Sequence, residues 1–321
     1  MFRKESTVSA HLAIQPAFPG FCPIYDAVEK LATEAGIEER GAIYTRREVV
    51  DFILDLTGYT QAKPLYSYRL LEPSFGNGDF LIPALDRLIE AARRDDRLSF
   101  HCLEKAVCGV ELHRDTFQKT RTLVASKLRE AGIAPTDTAK LCDAWLIQGD
   151  FLLAEIEPGF THVLGNPPYV RQESIPHVLI TEYRQRYRTI YDRADIYVPF
   201  IERSLALLGQ GGQLGFICAD RWMKNKYGKK LRELVSKTYN LKIYVDMVGT
   251  DAFHDEVSAY PAITVIERET AGTTRVYAQP AIDPSFLSSL AADLTAPELS
   301  GASQAREIEK VALNGEPWVL D

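Results

Sequence analysis

From Tyr68 to Glu267, short apolar stretches alternate with longer segments whose apolar residues recur at helical spacing, and that alternation constrains the fold more than any other feature. The strand candidates are Tyr68–Leu71, Ala106–Val110, Ala144–Ile147, His162–Leu164, Gln213–Cys218, Lys242–Val248 and Ala262–Glu267. Helices are expected at Asp79–Ala92, at Arg114–Ala131 closed by Gly132, at Tyr197–Leu208 ended by the glycines 209, 211 and 212, and from about Lys226 to Lys237. Strands linked through helices pair in parallel, because a parallel crossover needs a long connection, and the helices then cover the sheet. The expectation is an α/β chain with a mostly parallel sheet and helices on both faces. Ahead of it, Ile24, Val28, Leu31 and Ala32 mark an amphipathic helix over Pro23–Ala35. A second helix is expected from Thr45 as N-cap, with Glu48 completing a capping box and Gly58 at its end. From Thr270 the chain becomes rich in Ala, Ser, Thr and Pro with weak periodicity, which reads as a linker or the start of a further module and not as part of the sheet.

Composition then narrows the function classes. The chain has 321 residues, 46% hydrophobic and 25% charged, ordinary values for a globular chain with a sizeable core. A formal net charge of −7 argues against a uniformly basic nucleic-acid coat but leaves room for a local basic strip. No apolar run approaches the roughly 18 residues of a membrane span. The N-terminal MFRKESTVSAHLAIQ lacks the long apolar core of a secretory signal. Five scattered cysteines with no CxxC pair exclude a disulfide scaffold. A soluble, cytoplasmic chain without a membrane partner is expected. Neither the cysteines nor the six histidines have metal-ligand spacing, so no metal is expected.

The first chemical signal is Glu72-Pro73-Ser74-Phe75-Gly76-Asn77-Gly78-Asp79-Phe80, a strand end running through a glycine turn into a helix. Gly76 and Gly78 let the backbone turn tightly and approach a ligand at the carboxyl edge of the sheet. A dinucleotide fold would carry a third glycine near position 81, where this chain has Leu81. Glu72 and Ser74 instead suit a cofactor bearing an amino group. The next strand ends in Val110-Glu111-Leu112, and a carboxylate there can accept bonds from both ribose hydroxyls, although alone it reads equally as a solvated strand-end Glu. The third ends in Gly149-Asp150-Phe151, where Asp150 can accept from an exocyclic adenine amine while Phe151 packs on the ring.

The fourth strand runs into Gly165-Asn166-Pro167-Pro168-Tyr169. Two prolines hold this turn extended and stiff. It offers the Asn166 carboxamide oxygen and the Pro167 carbonyl as rigid acceptors beside an exposed aromatic ring, an arrangement suited to a planar amine. Standing alone, the segment would read as a proline turn with a buried Tyr; the acidic glycine turn upstream changes that balance. Basic residues cluster locally at Arg171, along Tyr183-Arg184-Gln185-Arg186-Tyr187-Arg188, and at Lys224, Lys226, Lys229, Lys230 and Arg232, where they could meet phosphates or simply form a solvated face.

Taken in order, these blocks resemble the amino-methylating, S-adenosylmethionine-dependent DNA methyltransferases, and most closely the gamma class of N6-adenine enzymes of restriction–modification and related phage-defence systems. Gly41-Ala42-Ile43-Tyr44-Thr45 resembles the family's cofactor-contacting segment, with Arg46 where the family usually has proline. Asp195-Ile196-Tyr197-Val198-Pro199-Phe200 and Arg221-Trp222-Met223-Lys224-Asn225-Lys226-Tyr227-Gly228 resemble its later blocks, and Phe253 falls where the family carries an aromatic that packs against the flipped base. The resemblance implies a Rossmann-like class I methyltransferase sheet over residues 41–268, preceded by a helical extension over 1–40 and followed by the linker or module start over 269–321.

It further implies methyl transfer from S-adenosylmethionine to the N6 of an adenine flipped out of double-stranded DNA. Tyr44, Thr45, Glu72, Pro73, Ser74, Gly76, Gly78, Glu111, Leu112, Asp150, Phe151 and Asn166 would hold the cofactor. Asn166, Pro167, Pro168, Tyr169 and Phe253 would form the catalytic group. Gamma-class enzymes continue into a large target-recognition domain, so recognition is expected from such a domain elsewhere or from a separate specificity subunit. Cytosine-C5 chemistry needs a thiolate, commonly from a Pro-Cys pair, and this chain has only the reverse Cys22-Pro23. The alternatives are an N4-cytosine, RNA or protein-glutamine amino-methyltransferase, or a non-catalytic subunit that binds cofactor or DNA.

Overall fold

The computed structural model describes residues 22–34, 43–254, 260–270, 272–301, 304–309, 311 and 314–320. Nine strands are assigned: β1 Leu70–Glu72, β2 Val107–Glu111, β3 Leu146–Gln148, β4 Phe160–Gly165, β5 Leu208–Ala219, β6 Asn240–Asp246, β7 Pro261–Glu267, β8 Thr274–Ala278 and β9 Arg306–Ile308. The α-helices are α1 Pro23–Glu34, α2 Arg47–Leu56, α3 Leu81–Arg94, the single turn α4 Phe100–Leu103, α5 Arg114–Glu130, α6 Pro135–Trp145, α7 His177–Arg186, α8 Tyr197–Leu207, the single turn α9 Arg221–Lys224, α10 Lys229–Thr238 and α11 Pro284–Thr295.

All nine strands form one sheet in the order β3-β2-β1-β4-β5-β7-β6-β8-β9. From β3 to β5 every pairing is parallel, β7 inserts antiparallel between β5 and β6, and β8 returns to a parallel pairing with β6. Side chains alternate across this sheet, so it carries two cores. Leu70, Ile243 and Val245 face the layer that includes α2, α3, α5, α6 and α11, while Leu71, Leu241 and Tyr244 face α1, α7, α8 and α10. Helices therefore cover both faces. The central strands are buried on both sides, which is why the second half of β5 (214–219) and most of β7 read as near-continuous apolar runs and not as alternations.

Several expectations need correction. Residues 269–321 are not outside the sheet: β8 pairs with β6, β9 pairs antiparallel with β8, and α11 packs on α2. Only Thr274 and Val276 are buried in β8, too few to reveal a period, but the α11 signal is present in the sequence. Asp283 caps that helix by accepting from the Phe286 N–H at 2.9 Å, Pro284 opens it, and Leu287, Leu290, Ala291 and Leu294 form its buried stripe. The capping box at Thr45 does not form. Arg46 occupies the N-cap position, and the Thr45 N–H is turned to the Asp79 carboxylate at 3.1 Å. The expected strand at Ala144–Ile147 begins later, because Ala144 and Trp145 close α6, whose indole donates to the Leu103 carbonyl at 2.9 Å. The glycines at 209, 211 and 212 lie within β5 instead of ending α8. The segment Gly41-Ala42 lies outside the described residues.

Candidate active site

Strand order reverses between β1 and its two neighbours β2 and β4, and a crevice opens there beyond the carboxyl ends of the strands. The β1 end supplies its floor. Gly76 and Gly78 adopt φ of +47° and +88°, and a Cβ on Gly78 would sit 2.9 Å from Ile82. An L side chain is thus excluded at Gly78 on two counts. The turn brings the Gly76 N–H onto Glu111 Oε2 at 2.9 Å, while the His113 N–H bonds Glu111 Oε1 at 2.8 Å. Two backbone donors hold the β2-end carboxylate against the pocket.

Glu72, Pro73, Ser74, Gly76, Glu111, Leu112, Asp150, Phe151, Tyr44, Thr45, Asn166 and Pro168 all line this one pocket. Gly78, Pro167, Tyr169 and Phe253 do not. Gly78 shapes the turn from beneath. Tyr169 is largely buried: its ring lies 6.4 Å from that of Tyr197, and its hydroxyl is buried without a partner, so the freely exposed ring expected from the turn is corrected. Phe253 is 7% exposed and belongs to the core, because its backbone pairs with Thr45 as an antiparallel bridge. The Arg46 N–H donates to the Ala252 carbonyl and that of His254 to the Tyr44 carbonyl, each at 3.1 Å. The 251–254 segment thereby fixes residues 44–46.

That segment in turn fixes Asn166. Its amide nitrogen donates to the Ile43 carbonyl at 3.0 Å and to Thr45 Oγ1 at 3.3 Å, whereas its Oδ1 is buried with no partner. Both donors are spent on the protein and the acceptor is left for something else.

The electrostatics of the pocket are one-sided. Burial pushes the Glu72 carboxyl well above the carboxylate range, with Asp79 and Glu111 adding to the shift, and Glu72 Oε2 has no hydrogen-bond partner. Burial also raises Asp79. A buried cluster of carboxylates in which one oxygen of Glu72 lacks a partner is costly until a cationic or N–H-rich ligand arrives. A cofactor carrying a sulfonium, an ammonium, a ribose diol and an adenine amine fits this lining.

Some residues of the site escaped the sequence reading. Asp79 lies in the glycine block and Ile196 and Phe200 in a later block, with no site role expected of any of them; Tyr183 and Ile175 come from elements after the proline turn, and Leu31 from α1. The 183–188 run is also reassigned in part. Tyr183 and Tyr187, four residues apart, face inward, while Arg184 donates to Gln172 and Arg186 to Glu182. Arg232 is buried and donates to the carbonyls of Gly315, Trp222 and Asn225, which removes it from any phosphate-facing strip. Among the described residues no His/Cys/Asp/Glu group is arranged to hold a metal ion, and no helix is long and apolar enough to cross a membrane.

Residues 97–253 match the Eco57I restriction-modification methylase family. The chain is 55% identical to the Type II methyltransferase M.PaeR7I of Pseudomonas aeruginosa over 97% of its own length and 54% of that relative. It is 46% identical to M.XhoI of Xanthomonas vasicola over 88% of its length and 53% of the relative. The chain thus spans about half the length of the curated relatives it matches. In fold it is similar to a Listeria monocytogenes protein assigned to the class I S-adenosylmethionine-dependent methyltransferases, with a TM-score of 0.56, 14% identity, and coverage of 81% of this chain and 72% of that one. A glycine turn, strand-end carboxylates and an Asn-Pro-Pro-Tyr turn meet at the switch point of a sheet of that class, in a chain whose residues 97–253 match the Eco57I restriction-modification methylase model.

Proposed function

We propose that this chain is the catalytic part of a restriction–modification DNA methyltransferase that methylates the N6 of an adenine flipped out of double-stranded DNA. The observation that carries this reading is Asn166, whose amide nitrogen is tied to Ile43 and Thr45 and whose buried Oδ1 has no partner beside an acidic pocket. When bound, S-adenosylmethionine supplies a methyl group already activated by its sulfonium. Glu72 and Asp79 would face its cationic end, Glu111 its ribose hydroxyls, and Asp150 with Phe151 its adenine.

The exocyclic nitrogen of adenine is a poor nucleophile because its lone pair is delocalised into the ring. Asn166 Oδ1 and the Pro167 carbonyl accept its two N–H bonds and favour a more tetrahedral nitrogen, so no strong base is required. Pre-set acceptors act by position and electrostatics. Pro168 stiffens the turn, Tyr169 stacks on the extruded base, and Phe253 keeps residues 44–46 in place behind Asn166. Exposed pairs of a cation over an aromatic ring support a nucleic-acid face: Arg221 lies 4.4 Å over Tyr260, which is 47% exposed, at the same carboxyl edge of the sheet. Target recognition belongs, in this reading, to a domain or specificity subunit outside residues 41–268.

The test is transfer of labelled methyl from S-adenosylmethionine into mixed-sequence duplex DNA, with the product digested to nucleosides and identified by mass. N6-methyladenine is expected. N4-methylcytosine would keep the mechanism and overturn the base assignment, and a chain that binds cofactor yet modifies no DNA, with any partner supplied, would overturn the catalytic reading.

A further inference from the structure

Asp150 sits at the end of the pocket assigned above to adenine, and it is held from two directions. The Leu152 N–H donates to Oδ1 at 2.8 Å, a local contact made by the turn after β3. The Tyr183 hydroxyl donates to Oδ2, and Tyr183 comes from α7, beyond the Asn-Pro-Pro-Tyr turn. Both side chains are buried and both line the pocket. No cation forms a salt bridge with this carboxylate among the described residues; Arg203, the nearest in influence, is committed to the Phe151 ring at 5.0 Å, the Tyr187 hydroxyl at 2.9 Å and the Ala154 carbonyl.

A buried carboxylate without a counter-ion tends to take up a proton, and burial does push Asp150 upward, opposed first by the Tyr183 bond and then by the Leu152 N–H. A protonated acid would lose acceptor capacity at the oxygen that carries the proton. The Tyr183 phenol is itself driven well above its usual range by burial and by Asp150, so its proton stays in place as the donor. An sp² oxygen has two lone pairs, and on Oδ2 the hydroxyl uses one.

We propose that Tyr183 is a positioning residue for cofactor recognition: its hydroxyl fixes and polarises the Asp150 carboxylate so that this carboxylate discriminates a 6-amino purine from a 6-oxo purine. The proposal rests on the reading of this pocket as an adenosyl site. It also means that the adenine end of the pocket is completed by a helix that follows the substrate turn, not by the β3 edge alone.

The test compares binding of S-adenosylhomocysteine and S-inosylhomocysteine, measured by titration calorimetry on the full chain. In the second ligand a carbonyl oxygen replaces the amine and would face the carboxylate. The wild type is expected to prefer the adenosyl ligand by at least about tenfold, the scale of a hydrogen bond to a charged group. Tyr183→Phe, which keeps the ring, should cut that preference to about threefold or less, chiefly by weakening the adenosyl ligand. Tyr187→Phe is the control: its hydroxyl donates to the Leu152 carbonyl at 2.5 Å, it lies outside the pocket lining, and its preference should stay at the wild-type ratio. A Tyr183→Phe chain that weakens both ligands equally, or that keeps the wild-type ratio, would overturn the proposal and leave the adenosyl site standing. A wild type that binds neither ligand, or binds both alike, would instead overturn the adenosyl reading itself and the proposal with it.

Discussion

On the cofactor side of the site, Glu111 and Asp150 each accept a backbone N–H from two residues further along, His113 and Leu152. On the substrate side, Asn166 is fixed by Ile43 and Thr45, 123 and 121 residues earlier, and those residues are fixed in turn by the backbone around Phe253. One wall is largely encoded by short turns at strand ends; the other exists only once three distant segments have met. A local wall depends on its own turn. An assembled wall is expected to fail through residues that never touch the ligand.

Four experiments would break or sharpen this contrast. The largest effect is expected for Asn166→Ala, which removes the free acceptor: transfer should fall by about a hundred- to a thousandfold, the scale of losing one pre-set polar group around a reacting centre. Affinity for S-adenosylhomocysteine should change little, and equal loss of both would merge the two walls into one. Glu111→Ala is the mirror case. It strips the Gly76 and His113 N–H groups of their acceptor, and cofactor affinity should drop by about ten- to a hundredfold. Binding isotherms on the variant decide it, and unchanged affinity would refute the ribose contact.

Glu72→Gln probes the pH behaviour of the cofactor wall. The folded-state pKa of Glu72 is raised, so the group's contribution to stability is fully present below its unfolded value and is lost as pH rises through the folded one. Above the unfolded value the ligand-free chain must hold the Glu72 proton or bury its charge, and either one costs stability. The substitution should stabilise that ligand-free chain by about 1 kcal/mol while weakening the cofactor, and it should flatten the decline of stability with rising pH. Urea titrations from pH 5 to 8 would show it; a variant less stable than wild type across that range would contradict the assignment. Smallest is Thr45→Ala, which removes a bond of 3.3 Å to Asn166 while its backbone N–H stays on Asp79. Transfer should fall a few-fold, about 0.5–1 kcal/mol, with cofactor affinity unaltered. A larger loss than that of Asn166→Ala would mean that residue 45 does more than hold the amide.

Legibility in the sequence follows the same division. The acidic glycine turn, Glu111 and Asp150 could be placed at strand ends because a strand, its turn and the next helix are contiguous, and each lines the crevice. Tyr183 could not, because on paper it belongs to a run of arginines; only α7 turns it inward and the arginines outward. By its place in the sequence Phe253 is an aromatic expected near a base, yet backbone pairing with Thr45 draws its ring into the core. The C-terminal stretch shows little periodicity because β8 and β9 extend an existing sheet, and strands near its edge need few apolar residues when the neighbouring strand already defines their register.

Local periodicity and turn chemistry in the sequence determined that this chain forms a mostly parallel α/β sheet, where its strands end, and which acidic and amide groups stand at those ends. These depend on residues a few positions apart, and backbone sterics act at that range. The tertiary structure alone decided that Asn166 would spend its donors on residues 43 and 45 and keep its oxygen free, that Asp150 would be held by Tyr183, and that residues 274–308 would extend the sheet. Those outcomes depend on burial and on which polar partners are left once distant segments pack together, and a buried polar atom has no way of being satisfied by its sequence neighbours when they are already bonded elsewhere.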